Sequence, residues 1–195
     1  AATFFSTIIG TCAAWTLNKY KHSKLQTLHY GLVYAPLVIP DVLMGISLLL
    51  MFVSIKVDLG LTTVILAHIT FCVSFVTFTV LARLQDFDFN VIQAAEDLGA
   101  DRITVLLKTV LPLSVPGIIS GITMTFIPAI STFAISELLS NRQIYLFGDS
   151  INTKFTVAQN FGVGSVMSLV MLALVIVANV LVNIVNKDDN VRSTL

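Results

Sequence analysis

The sequence predicts an all-α protein that crosses a membrane several times. Hydrophobic residues make up 56% of the chain and charged residues 11%, with a mean hydropathy of +0.91, which leaves too little polar surface to cover a soluble domain. Apolar stretches long enough for bilayer helices recur along the chain, separated by short polar or charged turns. Between two of them lies a polar stretch, 90–112, that reads as two short helices with a break. Formal net charge is zero, which says nothing about nucleic-acid or acidic partners, although none of the former is expected; the distribution across the turns carries the information.

Residues 1–17 form an apolar stretch at the lower limit of about 17 residues for a bilayer helix, and the absence of an initiator Met or basic leader reads as a missing N-terminus. A basic turn, 18–27, carries Lys19, Lys21 and Lys24. The next span, 28–53, contains Pro36 and Pro40, which remove two backbone donors and should kink or break it. A polar turn at 54–60 precedes a span at 61–81. After the paired-helix stretch comes a span at 113–135, loosened by Pro116, Gly117, Gly121 and Pro128. The polar connection 137–161 is long enough to hold structure of its own, and a last span, 162–185, leads to a charged tail at 186–195. Five spans are visible. Cys12 and Cys72 lie in apolar runs without disulfide or metal spacing and read as small packed side chains.

The paired helices have their own punctuation. Asn90 can cap the first, with Gln93 completing a capping box, and Gly99 sits where a left-handed turn wants no Cβ. Asp101 can cap the second. Ile103, Leu106, Leu107 and Val110 then recur with helical spacing, so one face is apolar while Arg102, Thr104 and Lys108 lie elsewhere, and Pro112 should stop the helix.

Cations sort unequally between alternate sides. One side receives Lys19, Lys21, Lys24, Arg83, Arg102, Lys108, Lys187 and Arg192; the other receives Lys56, Arg142 and Lys154. The positive-inside rule puts the first set, and with it the paired-helix stretch, in the cytoplasm.

Asp41 is a carboxylate inside a span, where it costs about 2.5–3.5 kcal/mol at the helix centre on insertion scales. Two readings are open: a site on a cation's route, or a cap for the half-helix that Pro40 begins. Glu137 ends its span on the outer side, either attracting a cation or sitting hydrated at the interface. Asp58, Asp149 and Lys154 lie in outer connections. His68, near Thr70 and Ser74, is expected to hydrogen-bond between helices, because a proton relay would want an acidic neighbour within a turn or two. Gly117 and Gly121 form a small-xxx-small pair suited to close helix approach. The sequence holds no Walker-type glycine loop, no nucleophile with a nearby base and no paired metal ligands.

The residues Ala94, Ala95, Gly99, Leu111 and Pro112 fall in register with the signature of permease subunits of ATP-binding-cassette importers, which runs Glu-Ala-Ala, three residues, Gly, nine residues, Ile, one residue, Leu-Pro. The chain departs from it at Gln93 and Thr109. The stretches from Pro40 to Leu49 and from Ala67 to Cys72, and Arg83 with Phe87 and Asp88, resemble permeases of bacterial spermidine/putrescine importers. The similarity runs through about Gly121 and less closely over 126–155. It implies a MetI-like type I importer fold in which 1–195 is a single transmembrane domain, 82–112 is its ATPase-coupling loop, and the first of six spans is absent. The partners implied are two ATP-binding subunits, a second related permease, an external solute-binding protein and membrane lipid. ATP and Mg would be bound by the ATPase, leaving this chain without a cofactor. The docking surface would fall on Gln93, Ala94, Ala95, Glu96, Gly99 and Asp101, and the substrate pathway on Asp41 and Glu137. Rival expectations are another cargo, such as sulfate, ferric ion or a sugar, and an ATP-independent channel or ion-coupled transporter.

Overall fold

The computed structural model describes residues 1–21, 23–85 and 90–192, with side chains of the last helix as far as 180. The described residues are helical: α1 (Ala2–Lys19), α2 (Gln26–Val38), α3 (Asp41–Ser54), α4 (Leu61–Gln85), α5 (Asn90–Asp97), α6 (Arg102–Val105), α7 (Leu111–Ser131), α8 (Ala134–Leu139), α9 (Phe147–Thr156) and α10 (Phe161–Arg192). A π-helical turn, Leu106–Val110, joins α6 to α7.

The bundle is built on α4, flanked by α1 and α7. Small residues bring these three helices together. A Cβ on Gly10 of α1 would lie 2.7 Å from Val76 Cβ, and one on Gly121 of α7 would lie 2.7 Å from Thr79 Oγ1 and 3.1 Å from Val76 Cα. Val76 is thus clasped from both sides by glycines. Gly117 extends the seam, since its Cβ would lie 3.0 Å from the Thr79 carbonyl oxygen and 3.1 Å from Val80 Cα. The expected small-residue pair is therefore the α4–α7 contact itself.

Two buried clusters mark the ends of the bundle. One gathers Ala14 and Leu17 of α1, Val76, Val80, Leu81 and Leu84 of α4, and Val110, together with Ile92 and Val105 of the short helices. The other gathers Phe52, Val64, Ala67, Ile135 and Leu139. The helix ends that carry Lys19, Arg83, Arg102 and Lys108 therefore belong to one end of the bundle. Lys56, Arg142 and Lys154 lie near the α3, α8 and α9 end. The side chains of Lys187 and Arg192 fall outside the described residues.

Five spans were expected; among the described residues three helices are long and apolar enough to cross a membrane, or four if the bent α2–α3 pair is one span. The differences from the sequence expectation are three. First, 28–53 is two helices: α2 ends at Val38, α3 starts at Asp41, and their axes are bent by 111°. Pro36 and Pro40 each lack a donor, and Ile39 between them is extended, with ψ of 126°. Second, α1 does not reach the length and apolarity of a bilayer helix that α4, the α6–α7 unit and Phe161–Val180 reach. Its hydroxyls turn back onto their own helix, as in Thr7 to the Thr3 carbonyl at 2.7 Å and Thr11 to the Thr7 carbonyl at 2.7 Å, so they make no polar demand on their surroundings. Third, α10 continues as helix to Arg192 where a tail was expected.

Candidate functional site

The paired-helix stretch folds as a hairpin against the α1–α4–α7 end of the bundle. Ile92 of α5 and Val105 of α6 are buried in the shared cluster, and Ala95 and Ala100 pack on it. The break between the helices is a Schellman turn: Ala100 N–H donates to the Ala95 carbonyl at 3.1 Å and Gly99 N–H to the Glu96 carbonyl at 2.9 Å. Gly99 takes φ of +85°, the left-handed region that a Cβ disfavours, and a Cβ there would meet nothing within 4 Å. The expected glycine turn is present.

Asp101 caps α6 as expected, with its Oδ1 accepting the Thr104 N–H at 3.0 Å. Hydrogen bonding from Thr104, side chain first and backbone second, holds the Asp101 carboxyl below its usual range, with a smaller contribution from Lys108. The charged cap is therefore present at neutral pH and is lost only as pH falls through that lowered value. Asn90 opens α5, while the residues just ahead of it, including Phe87 and Asp88, lie outside the described residues, and so does the capping arrangement expected there.

Pro112 does not stop the second helix. Chain from Arg102 to Ser131 is one helical unit, in which Leu111 N–H reaches back five residues to the Leu106 carbonyl through the π-turn. The turn also rearranges the expected apolar face. Val105 and Val110, five residues apart, are 1% and 2% exposed, whereas Ile103 is 66% and Leu107 54% exposed. A π-turn widens the repeat, so positions five apart align and the 3–4 spacing does not.

The six residues proposed for a docking surface come together here. Gln93, Ala94, Glu96, Gly99 and Asp101 are exposed, and Ala95 turns partly inward against the core. Apolar side chains that sequence reasoning did not assign to that surface are also exposed on the hairpin: Leu98, at the tip, is 89% exposed, and Val91, Ile103 and Leu107 are exposed as well. The signal was local, since Leu98 precedes the turn glycine and so projects from the end of α5.

Asp41 and Glu137 stand apart from the hairpin. Asp41 is the first residue of α3, exposed, with Pro40 in the cap position and no side-chain cap hydrogen bond. The capping reading is thereby corrected: Asp41 favours the α3 N-terminus through its charge at the positive end of the helix. Glu137 is exposed on α8 and lines a hollow of about 360 Å³ with Ser140, Arg142, Tyr145, Asp149 and Asn152; Asp41 does not line it.

Asp149, which the sequence left as one loop carboxylate among several, is buried and ties α8 to α9. Its Oδ2 accepts from Ser136 Oγ at 2.7 Å and from Leu146 N–H at 2.6 Å. Asp149→Ala leaves the Leu146 N–H without its acceptor and Ser136 Oγ with only the Phe133 carbonyl of its own segment at 3.1 Å, and is expected to destabilise the α8–α9 end by about 1–3 kcal/mol, read as a lower melting temperature of the purified protein. His68 makes no interhelical bond: its Nδ1 donates to the Val64 carbonyl of its own helix at 2.8 Å, and Nε2 is buried without a partner. Thr63 supplies the interhelical bond instead, to the Leu139 carbonyl at 2.8 Å. Among the described residues no cluster of His, Cys, Asp and Glu could hold a metal.

Residues 6–188 match the family model described as the binding-protein-dependent transport system inner membrane component. The chain belongs to this family. Its similar proteins include the spermidine/putrescine transport system permease protein PotC of Haemophilus influenzae, 35% identical over 139 residues, covering 71% of this chain and 54% of that protein. The putrescine transport system permease protein PotI of Escherichia coli K12 is 36% identical over 139 residues, covering 68% and 50%. The chain thus spans about half the length of these relatives. Among solved structures, the fold is similar to a chain of the inward-facing MetNI methionine ABC transporter, with a TM-score of 0.82, 18% identity, and coverage of 96% and 88%. The all-α, MetI-like fold is thereby established, and this is an inner-membrane, multi-pass family.

Proposed function

We propose that this chain is a permease subunit of an ATP-driven importer of polyamines, spermidine or putrescine. The observation that carries the reading is the hairpin: a rigid turn, fixed by a glycine at positive φ, that presents exposed Leu98, Ala94, Gln93 and Glu96 at the cation-rich end of a family-typical bundle. One of two ATP-binding subunits grips it, with ATP and Mg bound on those subunits and not on this chain. A second related permease completes the translocation path, and an external solute-binding protein delivers cargo to the opposite end, where Glu137 sits. The positive-inside bias puts the hairpin and the C-terminus in the cytoplasm. Names of the similar proteins favour a polyamine, and so does the chemistry of carboxylates at Asp41 and Glu137.

In vesicles holding the whole complex, labelled spermidine or putrescine is expected to enter in an ATP-dependent manner and sulfate is not. Uptake without ATP, or of sulfate alone, rejects the reading. Asp41→Asn keeps the side chain's shape and removes its charge. It is expected to lower polyamine uptake severalfold at matched amounts of assembled complex, because a charge at this depth acts on a cation more than on packing. Equal uptake returns Asp41 to a role at the α3 N-terminus alone.

A further inference from the structure

The π-turn at Leu106–Val110 is the junction through which the hairpin is attached to its span, and its side chains show what it does. In a regular α-helix successive residues advance by about 100°, so Val105 and Val110 would stand far apart around the axis and Ile103, Leu106, Leu107 and Val110 would share a face. The structure splits that face. Val105 and Val110 enter one cluster with Leu17 and Leu84, Leu106 packs against its edge, and Ile103 and Leu107 stay exposed. The Leu111 N–H to Leu106 carbonyl bond spans five residues, so the turn contains one residue more than an α-turn. A widened turn leaves a carbonyl out of register, and Pro112 immediately beyond contributes no donor, so the two defects of the ladder fall together.

We propose that this surplus residue sets the rotational phase at which the hairpin is presented, holding Val105 against the core and Ile103 and Leu107 outward. The transport half of this proposal rests on the coupling role assigned to the hairpin. The phase itself is a property of this chain alone.

The two halves are tested separately. In a Cys12→Ser background, with Cys72 buried, single cysteines at 103, 105, 106, 107 and 110 are labelled with a membrane-impermeant maleimide in membranes opened to expose both faces and freed of ATPase. Residues 103 and 107 are expected to label and 105 and 110 to be protected; joint protection of 103, 106, 107 and 110 overturns the proposal. Deleting Lys108 removes the surplus residue and leaves a regular helix of unchanged phase, so 105 stays protected and most ATP-driven uptake is kept. Inserting an alanine after Lys108 adds a second surplus residue that the turn cannot absorb. Position 105 then loses its protection and uptake is lost.

In an ordinary helix deletion and insertion rotate the hairpin equally in opposite directions, so a deletion that disrupts labelling and uptake as the insertion does overturns the proposal. An insertion that shifts labelling but transports normally overturns its functional half. Should the insertion variant fail to accumulate, the parent scan and the deletion still decide. Ile103→Ala and Lys108→Ala, which leave residue number intact, are expected to keep the labelling phase of the parent. Labelling needs no ATPase, so failure of the phase claim is distinct from failure of the coupling reading.

Discussion

Gly99→Glu leaves the chain folded in the membrane and abolishes ATP-driven uptake. Gly99 has φ of +85°, and a non-glycine residue in the left-handed region costs about 1–2 kcal/mol, local to the turn. Nothing lies within 4 Å of the Cβ position, so a side chain there disturbs no packing inside this chain. What it disturbs is whatever sits against the turn from outside, where a charged, extended group is placed beside the exposed Leu98. Gly99→Asn separates the two effects. Asparagine tolerates left-handed φ better than other residues and carries no charge, so it should retain a substantial part of uptake while Gly99→Glu retains almost none. The check is uptake and ATPase stimulation at matched amounts of permease; normal values for Gly99→Glu would remove the turn from the coupling surface.

Gly121→Leu is expected to act in the opposite way, by preventing the bundle from assembling. Even a Cβ at Gly121 would lie 3.1 Å from Val76 Cα, which is backbone and cannot swing aside, and α4 is itself held from behind by Gly10. A branched side chain must push α7 away from α4 and open the seam that runs through Gly117. Overpacking of a close-packed core costs about 1–3 kcal/mol for a few methylenes, and here the inserted group meets main chain on both neighbours' shared helix, so the upper end of that range is expected. Gly31→Leu is the matched control. A Cβ on Gly31 meets nothing within 4 Å, so the same exchange should leave folded yield unchanged. The measurement is the amount of monodisperse permease extracted from membranes. Equal yields for the two variants would mean that the α4–α7 contact is not what holds these helices together.

Much of this arrangement is legible in the residues. The turn at Gly99 and the cap at Asp101 are local, decided by a missing Cβ and by a carboxylate within reach of the next turn's N–H, and local chemistry is what sequence shows well. A close helix approach at Gly117 and Gly121 was readable for the same reason, though not that α4 is the helix approached. The break at Pro36 and Pro40 was also visible, but its angle was not, because a missing donor says that a helix fails and not where the next one goes.

Harder to see was the face presented by the second short helix. A 3.6-residue repeat selected Ile103, Leu106, Leu107 and Val110, whereas the tertiary cluster with Leu17 and Leu84 takes in Val105 and Val110, keeps Leu106 at its edge and leaves Ile103 and Leu107 out. Packing against α1 and α4 overrode the local period, at the cost of a π-turn. Asp149 was missed because its two donors, Ser136 and the Leu146 amide, come from another helix and from a turn that the sequence did not define. The same blindness affected His68, whose partner proved to be a carbonyl of its own helix.

The elbow between α2 and α3 constrains what can surround it. At the start of α3 the Val42 and Leu43 amides precede the first helical acceptor, Met44 N–H being the first to close on the Pro40 carbonyl at 3.0 Å, and no side chain caps them. Hydrocarbon tails cannot satisfy such groups. Wherever the bilayer sits around this protein, the elbow must therefore border moisture or a second polypeptide, and lipid chains must stop short of it.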